Sequence, residues 1–300
     1  MIRFSKYIWI YFFISSLVLV PGIFSLLRFG LRPAIDFTGG TLLEISFKHS
    51  VQQSVIEQVA KKDNLALVSF QKSTNNAYII RTKPEADAKI LSFQKDLSLQ
   101  VSEVPIISRN ETIGPVLGKE LLQKALVAAA LAIVAILVYV AWVFKNIKFG
   151  VSAILALVHD LLVVAGVFAI LGQTIHVEVD TLFVTAVLTT MSFSVHDTIV
   201  VFDRIRELLK KGEKGMFEEI ADRALTQTLG RSLVNSFTII FMLLSLVLMG
   251  GETIRWFAVA LLVGTISGTY SSPFVATPIL ILWDRWEKRR HRRASVVQGV

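Results

Sequence analysis

An aspartate stands inside an otherwise apolar stretch at position 197, in Ser194-Val195-His196-Asp197-Thr198-Ile199-Val200-Val201-Phe202. Ionised carboxylates in hydrocarbon are costly unless paired, protonated or wet, and groups placed this way are functional by default. Thr190, Ser194 and Asp197 recur at i, i+4 and i+7, so they share one helical face. Burial favours the protonated acid and a nearby cation favours the anion, so a moving cation can load and release a proton. Arg231 is the natural cation, because it opens a later apolar stretch in which Arg231, Asn235 and Thr238 make a matching polar face. Two roles stay open for each residue. Asp197 is a proton relay or a lock between two helices; Arg231 is its partner or an interfacial arginine that snorkels to the surface. Asp160, directly after His159, falls near the middle of a third apolar stretch and needs a partner or water, for a proton path or for packing. His196 can titrate near neutral pH, or serve only as a hydrogen-bond donor.

Other chemistry has no footing. There is no Cys, hence no disulfide, thiol redox site or Cys-based metal site. No HExxH, GxSxG or P-loop pattern occurs, so the expectation is a protein that is not an enzyme, binds no metal and uses no cofactor beyond the proton as coupling ion.

The elements that must hold these residues are membrane helices. The chain has 300 residues, is 53% hydrophobic and 18% charged, and has a mean hydropathy of +0.61. Apolar runs of about twenty residues are long enough to cross a bilayer as helices, which satisfy their own backbone. Six are predicted, roughly Tyr7–Leu27, Leu121–Phe144, Gly150–Leu171, Thr181–Phe202, Ser232–Met249 and Trp256–Trp283. The first is too long for a signal-peptide core and lacks a small-residue cleavage site, so it reads as a retained helix.

Lys and Arg set the orientation. Arg3, Lys6, Lys145, Lys148, Arg204, Arg206, Lys210, Lys211, Lys214, Arg223, Arg231 and the run from Arg285 to Arg293 fall on one side, while the opposite short links are nearly bare. Both termini are expected in the cytoplasm. This placement explains the formal charge of +8 by a membrane surface of anionic lipids, with no nucleic acid involved.

The polar section between the first two spans is then extracytoplasmic. Strand patterns at Thr41–Lys48, Ala66–Gln71, Ala77–Arg81 and Val101–Ser108, with helices at Val51–Lys62 and Pro84–Leu97, give βαββαβ, a ferredoxin-like order. Pro105 weakens the last strand towards an edge or bulge. Asp36, Gly39 and Gly40 suit a tight turn or hinge at the root of this domain, since paired glycines permit positive φ. Gly264, Gly268 and Ser272, four apart, suit close helix packing. Asn110-Glu111-Thr112 fits a glycosylation pattern that nothing else supports. The expected fold class is a multi-span α-helical membrane protein of six transmembrane helices with an α+β ferredoxin-like extracytoplasmic domain. Its parts are residues 1–28, a first transmembrane helix; 29–119, the outer domain; 120–284, a five-helix bundle; and 285–300, a basic cytoplasmic tail.

Three stretches resemble the SecD/SecF family. Asp36-Phe37-Thr38-Gly39-Gly40 is similar to its Gly-Gly motif, and Ser108 to Gly118 to its Ile-Gly-Pro segment. His196-Asp197-Thr198-Ile199-Val200-Val201-Phe202-Asp203-Arg204-Ile205-Arg206-Glu207 resembles its Asn-Asp-Thr-Val-Val-Val-Phe-Asp-Arg-Ile-Arg-Glu. Gln227 to Ser232 and Gly268 to Ser272 look similar too. Ala34, Ser192-Phe193 and His196 depart from the usual Gly, Gly-Tyr and Asn. The resemblance implies a SecF-like, proton-coupled subunit of the bacterial inner membrane, an RND-like half that pairs with SecD. It further implies work with SecYEG, and with YajC as an additional partner, on a translocating unfolded polypeptide. The family's intramembrane Asp and Arg would map onto Asp197 and Arg231. A non-transporting scaffold of the translocon, or half of an RND-type exporter of a small molecule or lipid, are the alternatives.

Overall fold

A computed structural model describes residues 3–74, 76–144 and 146–298. Lys145 and the side chains of Arg292 and Arg293, part of the charge pattern, lie outside the described residues. The chain divides into two compact units: residues up to Arg32 together with those from Ala128 onward, and Pro33–Val127.

The smaller unit holds α2 (Ile35–Thr38), β1 (Gly40–Ser46), α3 (Gln53–Lys62), β2 (Leu67–Thr74), β3 (Ala77–Thr82), α4 (Asp87–Val101) and β4 (Ile106–Ile113). The strands form one antiparallel sheet in the order β2-β3-β1-β4, with Leu43 of β1 opposite Ile80 of β3 and Asn110 of β4. This is the expected ferredoxin-like arrangement. Its core follows the two periods of the sequence: alternate Leu43 and Ile45 on β1, and Ile90, Phe93 and Leu97 down one face of α4, all buried. The last strand and second helix sit later than predicted. α4 runs on to Val101 and closes at Ser102 in the left-handed region (φ 56), and β4 starts only after Pro105, which has no N–H for a ladder. Pro84 stands before α4 and not in its first turn.

Charge in this unit makes two of its contacts acid-labile. Glu103 accepts the Lys48 backbone N–H and lies 3.2 Å from His49 Nδ1, and these contacts hold its carboxyl below the ordinary range. Lys62, bonded to Asp96 at 2.8 Å, does the same for Asp96. Burial and the Asp96 charge push Asp63 up. Depressed carboxyls stabilise the fold above their unfolded values and lose that contribution as pH falls through the folded ones, so acid releases the contacts at Glu103 and Asp96, while Asp63 acts oppositely. Once corrected for the intrinsic slowing of exchange in acid, protection of the Lys48 amide should fall when pH is lowered from 7 to about 3. In Glu103→Ala, which has no acceptor for that N–H, corrected exchange should already be fast at pH 7 and change little.

The larger unit contains α1 (Ile8–Phe29), the remainder of α5 (Pro115–Val143), α6 (Ile147–Thr174), α7 (Thr181–Lys210), α8 (Phe217–Met249), α9 (Glu252–Ser271) and α10 (Thr277–Gln298). A π turn at Ser272–Ala276 joins α9 and α10: Pro273 has no N–H to give, and the ladder widens so that Thr277 N–H donates to Ser272 O. Among the described residues, six helical segments have the length and composition to cross a membrane, as predicted. Several run past their predicted ends, α8 most of all, because hydropathy registers only the lipid-embedded part of a helix.

Two apolar layers fill the bundle. One stacks Phe144, Phe149 and Phe202 with Ile205, Leu225 and Leu280; the other gathers Val164, Phe168, Phe183, Ala186 and Leu261. On α6, Asp160 falls where the two layers meet, and Ser194 of α7 lies at the edge of the first. At the end carrying most basic residues, ion pairs tie the helices: Lys148 to Asp284 at 3.1 Å and Arg285 to Glu218 at 2.6 Å, while Asp222 accepts the Ser5 N–H at 2.9 Å and its hydroxyl at 2.7 Å.

Candidate functional site

Asp160 is the hub between the layers. It is 4% exposed, and four donors converge on it from three helices. Ser194 of α7 and Ser271 of α9 donate to Oδ2 at 2.5 and 2.6 Å, Ser267 of α9 donates to Oδ1 at 2.6 Å, and His159 Nδ1 lies 3.0 Å from Oδ1. An ionised carboxylate has about four lone-pair directions, and here each is occupied. Charge-assisted bonds of this kind are what lets a carboxylate stay charged away from water.

Asp197 is placed differently. It is half-buried on α7 and accepts a single bond, from Ser232 of α8 at 2.9 Å. It lines a small cavity with His196, Asn235, Ser236 and Thr269, of about 20 Å³, enough for a water. Ser194, grouped with Asp197 on one face from spacing alone, turns to Asp160 instead. Arg231 is exposed and makes no ion pair among the described residues; its neighbour Ser232 reaches Asp197 in its place. His196 is exposed. It continues a stripe of Thr185, Thr189 and Ser192, spaced four, three and four apart, of which only Thr189 is half-buried; Arg231, Asn235 and Thr238 are likewise exposed on α8.

Close packing makes the network possible. A Cβ on Gly264 would stand against Thr190 Cγ2, and one on Gly268 3.2 Å from Ser194 Cα, so both glycines bring α9 onto α7. Ser272 completes the row through its hydroxyl, 2.9 Å from that of Thr198. The rows Gly264, Gly268, Ser272 and Thr190, Ser194, Thr198 thus face each other. Around them Thr269 donates to Ser236 at 2.7 Å, and Tyr270 to the Tyr11 carbonyl of α1 at 2.8 Å.

In the smaller unit Asp36 lies in the short turn of α2, and Gly39 and Gly40 follow at φ 72 and 140, where only glycine is comfortable. The turn serves packing as well as direction. A Cβ on Gly39 would lie 2.8 Å from Pro115 Cα, and one on Gly118 2.8 Å from Gly39 N, so the Gly-Gly and Ile-Gly-Pro segments fit against one another. Sequence reasoning treated them separately.

It also passed over Ser267, Ser271, Ser232 and Tyr270 as site residues. The four-residue spacing of Ser267 and Ser271 in an apolar helix was the available signal; nothing local marked Ser232.

Comparison with known proteins shows the family. Residues 94–286 match the family described as protein export membrane protein SecD/SecF, C-terminal, and residues 24–51 match the SecD/SecF GG motif. The chain belongs to the SecD/SecF family. It is 42% identical to the protein translocase subunit SecF of Thermobaculum terrenum, over 95% of this chain and 94% of that one. It is 37% identical to that of Anaerolinea thermophila, over 96% and 97%. The crystal structure of SecDF, a translocon-associated membrane protein from Thermus thermophilus, superposes with a TM-score of 0.84 at 29% identity, covering 95% of this chain and 39% of that one. Against SecD/SecF relatives the chain is thus a multi-pass membrane protein that spans well under half of the fused SecDF chain.

Proposed function

We propose that this chain acts as a SecF-type subunit of the Sec protein-export apparatus. With a SecD partner it would couple transmembrane proton flow to late movement of unfolded polypeptides through SecYEG, in the bacterial inner membrane with both termini cytoplasmic. The observation that carries the coupling is the pair of intramembrane carboxylates, Asp160 enclosed by donors and Asp197 beside a water-sized cavity with one bond. An enclosed charge stores; a half-buried one can exchange. The outward stripe Thr185, Thr189, Ser192 and His196, with Arg231 and Asn235 on α8, supports the partner. Polar groups at such depth face protein or water and not lipid, and a second six-helix half would cover them. No step calls for an enzyme or a cofactor other than the proton.

The Ser232–Asp197 bond also fits a second reading, a scaffold in which Asp197 only locks α7 to α8. Proteoliposomes holding the chain with its SecD partner and the SecYEG channel separate the two. Asp197→Asn keeps an acceptor for Ser232 but cannot carry a proton, so it should assemble normally and lose proton flux together with force-dependent translocation. Persistence of both activities would leave Asp197 as that lock, outside any proton path.

A further inference from the structure

We propose that His159 is the residue through which Asp160 exchanges protons, drawing them from a cavity between α1, α6 and α9. This rests on the proton-coupled reading above and adds to it an entry point. The cavity, of about 310 Å³, is lined by Ser15 and Val18 of α1, His159 and Val163 of α6, and Ser267 and Tyr270 of α9, among others. His159 is 7% exposed, and its Nε2 is buried without a hydrogen-bond partner among the described residues. Buried polar atoms are nearly always satisfied, so an orphaned nitrogen on a ring that lines a cavity is one that a small turn of the ring would bring to water.

The rest of the cavity wall suits such a water at one strip only. The Ser15 hydroxyl lies 3.5 Å from the Tyr270 hydroxyl, and the Tyr270 ring stacks on His159 with centroids 6.4 Å apart. Tyr270 spends its proton on the Tyr11 carbonyl, which leaves its oxygen free to accept. Valines and isoleucines make up the remaining wall. A water held at this strip has His159 Nε2, Ser15, Tyr270 and Ser267 as partners, and the hydrocarbon around them confines it there.

The proton balance is simple. A proton arriving on the water passes to Nε2 and turns the imidazole into an imidazolium. Nδ1–H meanwhile keeps its bond to Asp160 Oδ1 at 3.0 Å, so the new positive charge faces an existing negative one. Ser194, Ser267 and Ser271 hold the carboxylate in place throughout. Release returns the Nε2 proton to water, or passes the Nδ1 proton to Oδ1. The titratable groups facing His159 are Asp160 on its own helix and Tyr270 on α9; α1 offers Ser15, and no Lys, Arg or Glu lines the cavity among the described residues.

Proton flux in proteoliposomes of the assembled complex tests this with two variants. His159→Gln should slow flux by roughly tenfold or more and change the shape of its pH profile. Val263→Phe fills the cavity while leaving the His159–Asp160 bond untouched; it should slow flux comparably and keep the profile's shape. Wild-type flux and profile in assembled His159→Gln, or wild-type flux in Val263→Phe, overturns the proposal. If His159→Gln does not assemble, Val263→Phe decides alone. If instead Asp197→Asn conducts like the wild type while the two cavity variants are slow, the relay assigned to Asp197 falls and this entry point stands. An absence of coupled flux in the wild type removes the proton-coupled reading and this proposal together.

Discussion

Asp160→Ala should lower the thermal stability of the purified chain more than any other single change to a polar residue in the bundle. The substitution leaves three serine hydroxyls and an imidazole N–H directed at a void among α6, α7 and α9. Hydrogen bonds between membrane helices average only about 0.6 kcal/mol each, so the three from Ser194, Ser267 and Ser271 would add up to roughly 2 kcal/mol. Removing the centre of a closed network costs more, about 1–3 kcal/mol for each partner left buried without another acceptor. Asp160→Asn should be milder. Its amide oxygen still accepts, and serine hydroxyls can turn to accept from the amide N–H groups. Thermal unfolding in detergent, followed for wild type, Asp160→Asn and Asp160→Ala, should give stabilities falling in that order. Equal midpoints for wild type and alanine would mean that the serines find other acceptors, and that Asp160 is no hub.

The six spans were legible because each is a long apolar run, and hydrocarbon leaves a chain few alternatives to a helix. The ferredoxin-like order was legible from strand alternation, and missed only where Pro105 moved β4 along. The interior of the bundle was harder to read. Spacing along one helix grouped Ser194 with Asp197, yet the direction of a side chain towards its partner depends on which helix lies opposite. α9 lies there, drawn in by Gly264 and Gly268, and it brings Ser267 and Ser271 to Asp160. The packing role expected of those glycines and the carboxylate's surroundings are thus one feature, divided in the sequence between residues about a hundred positions apart. Arg231 illustrates the converse. Matching polar faces on α7 and α8 do meet, but through Ser232, and the arginine itself is left on the surface.

Gly166→Ala should be the most damaging single methyl that can be added where α1 crosses α6. Its Cβ would stand 2.7 Å from Gly22 Cα and 3.0 Å from Gly22 C, atoms of a helix backbone that cannot rotate aside. α1 would have to move off α6 as a body. That loosens the Ser15 and Tyr11 contacts to Tyr270, and overpacking of this kind costs about 1–3 kcal/mol. The reverse change, Gly22→Ala, meets Gly166 Cα at 3.1 Å, a tighter than ordinary contact that a few tenths of an ångström relieve, so its cost should be smaller. Gly230, on α8, has open space within 4 Å of where an alanine methyl would stand, and there alanine's better helix propensity, by about 1 kcal/mol, should leave stability unchanged or raised. The expected order of unfolding midpoints in the isolated chain is therefore Gly230→Ala at or above wild type, then Gly22→Ala, then Gly166→Ala. Equal losses at positions 22 and 166 would show that α1 slides freely on α6, and the cavity at His159, an open groove between those two helices and α9, would then have no fixed wall on the α1 side.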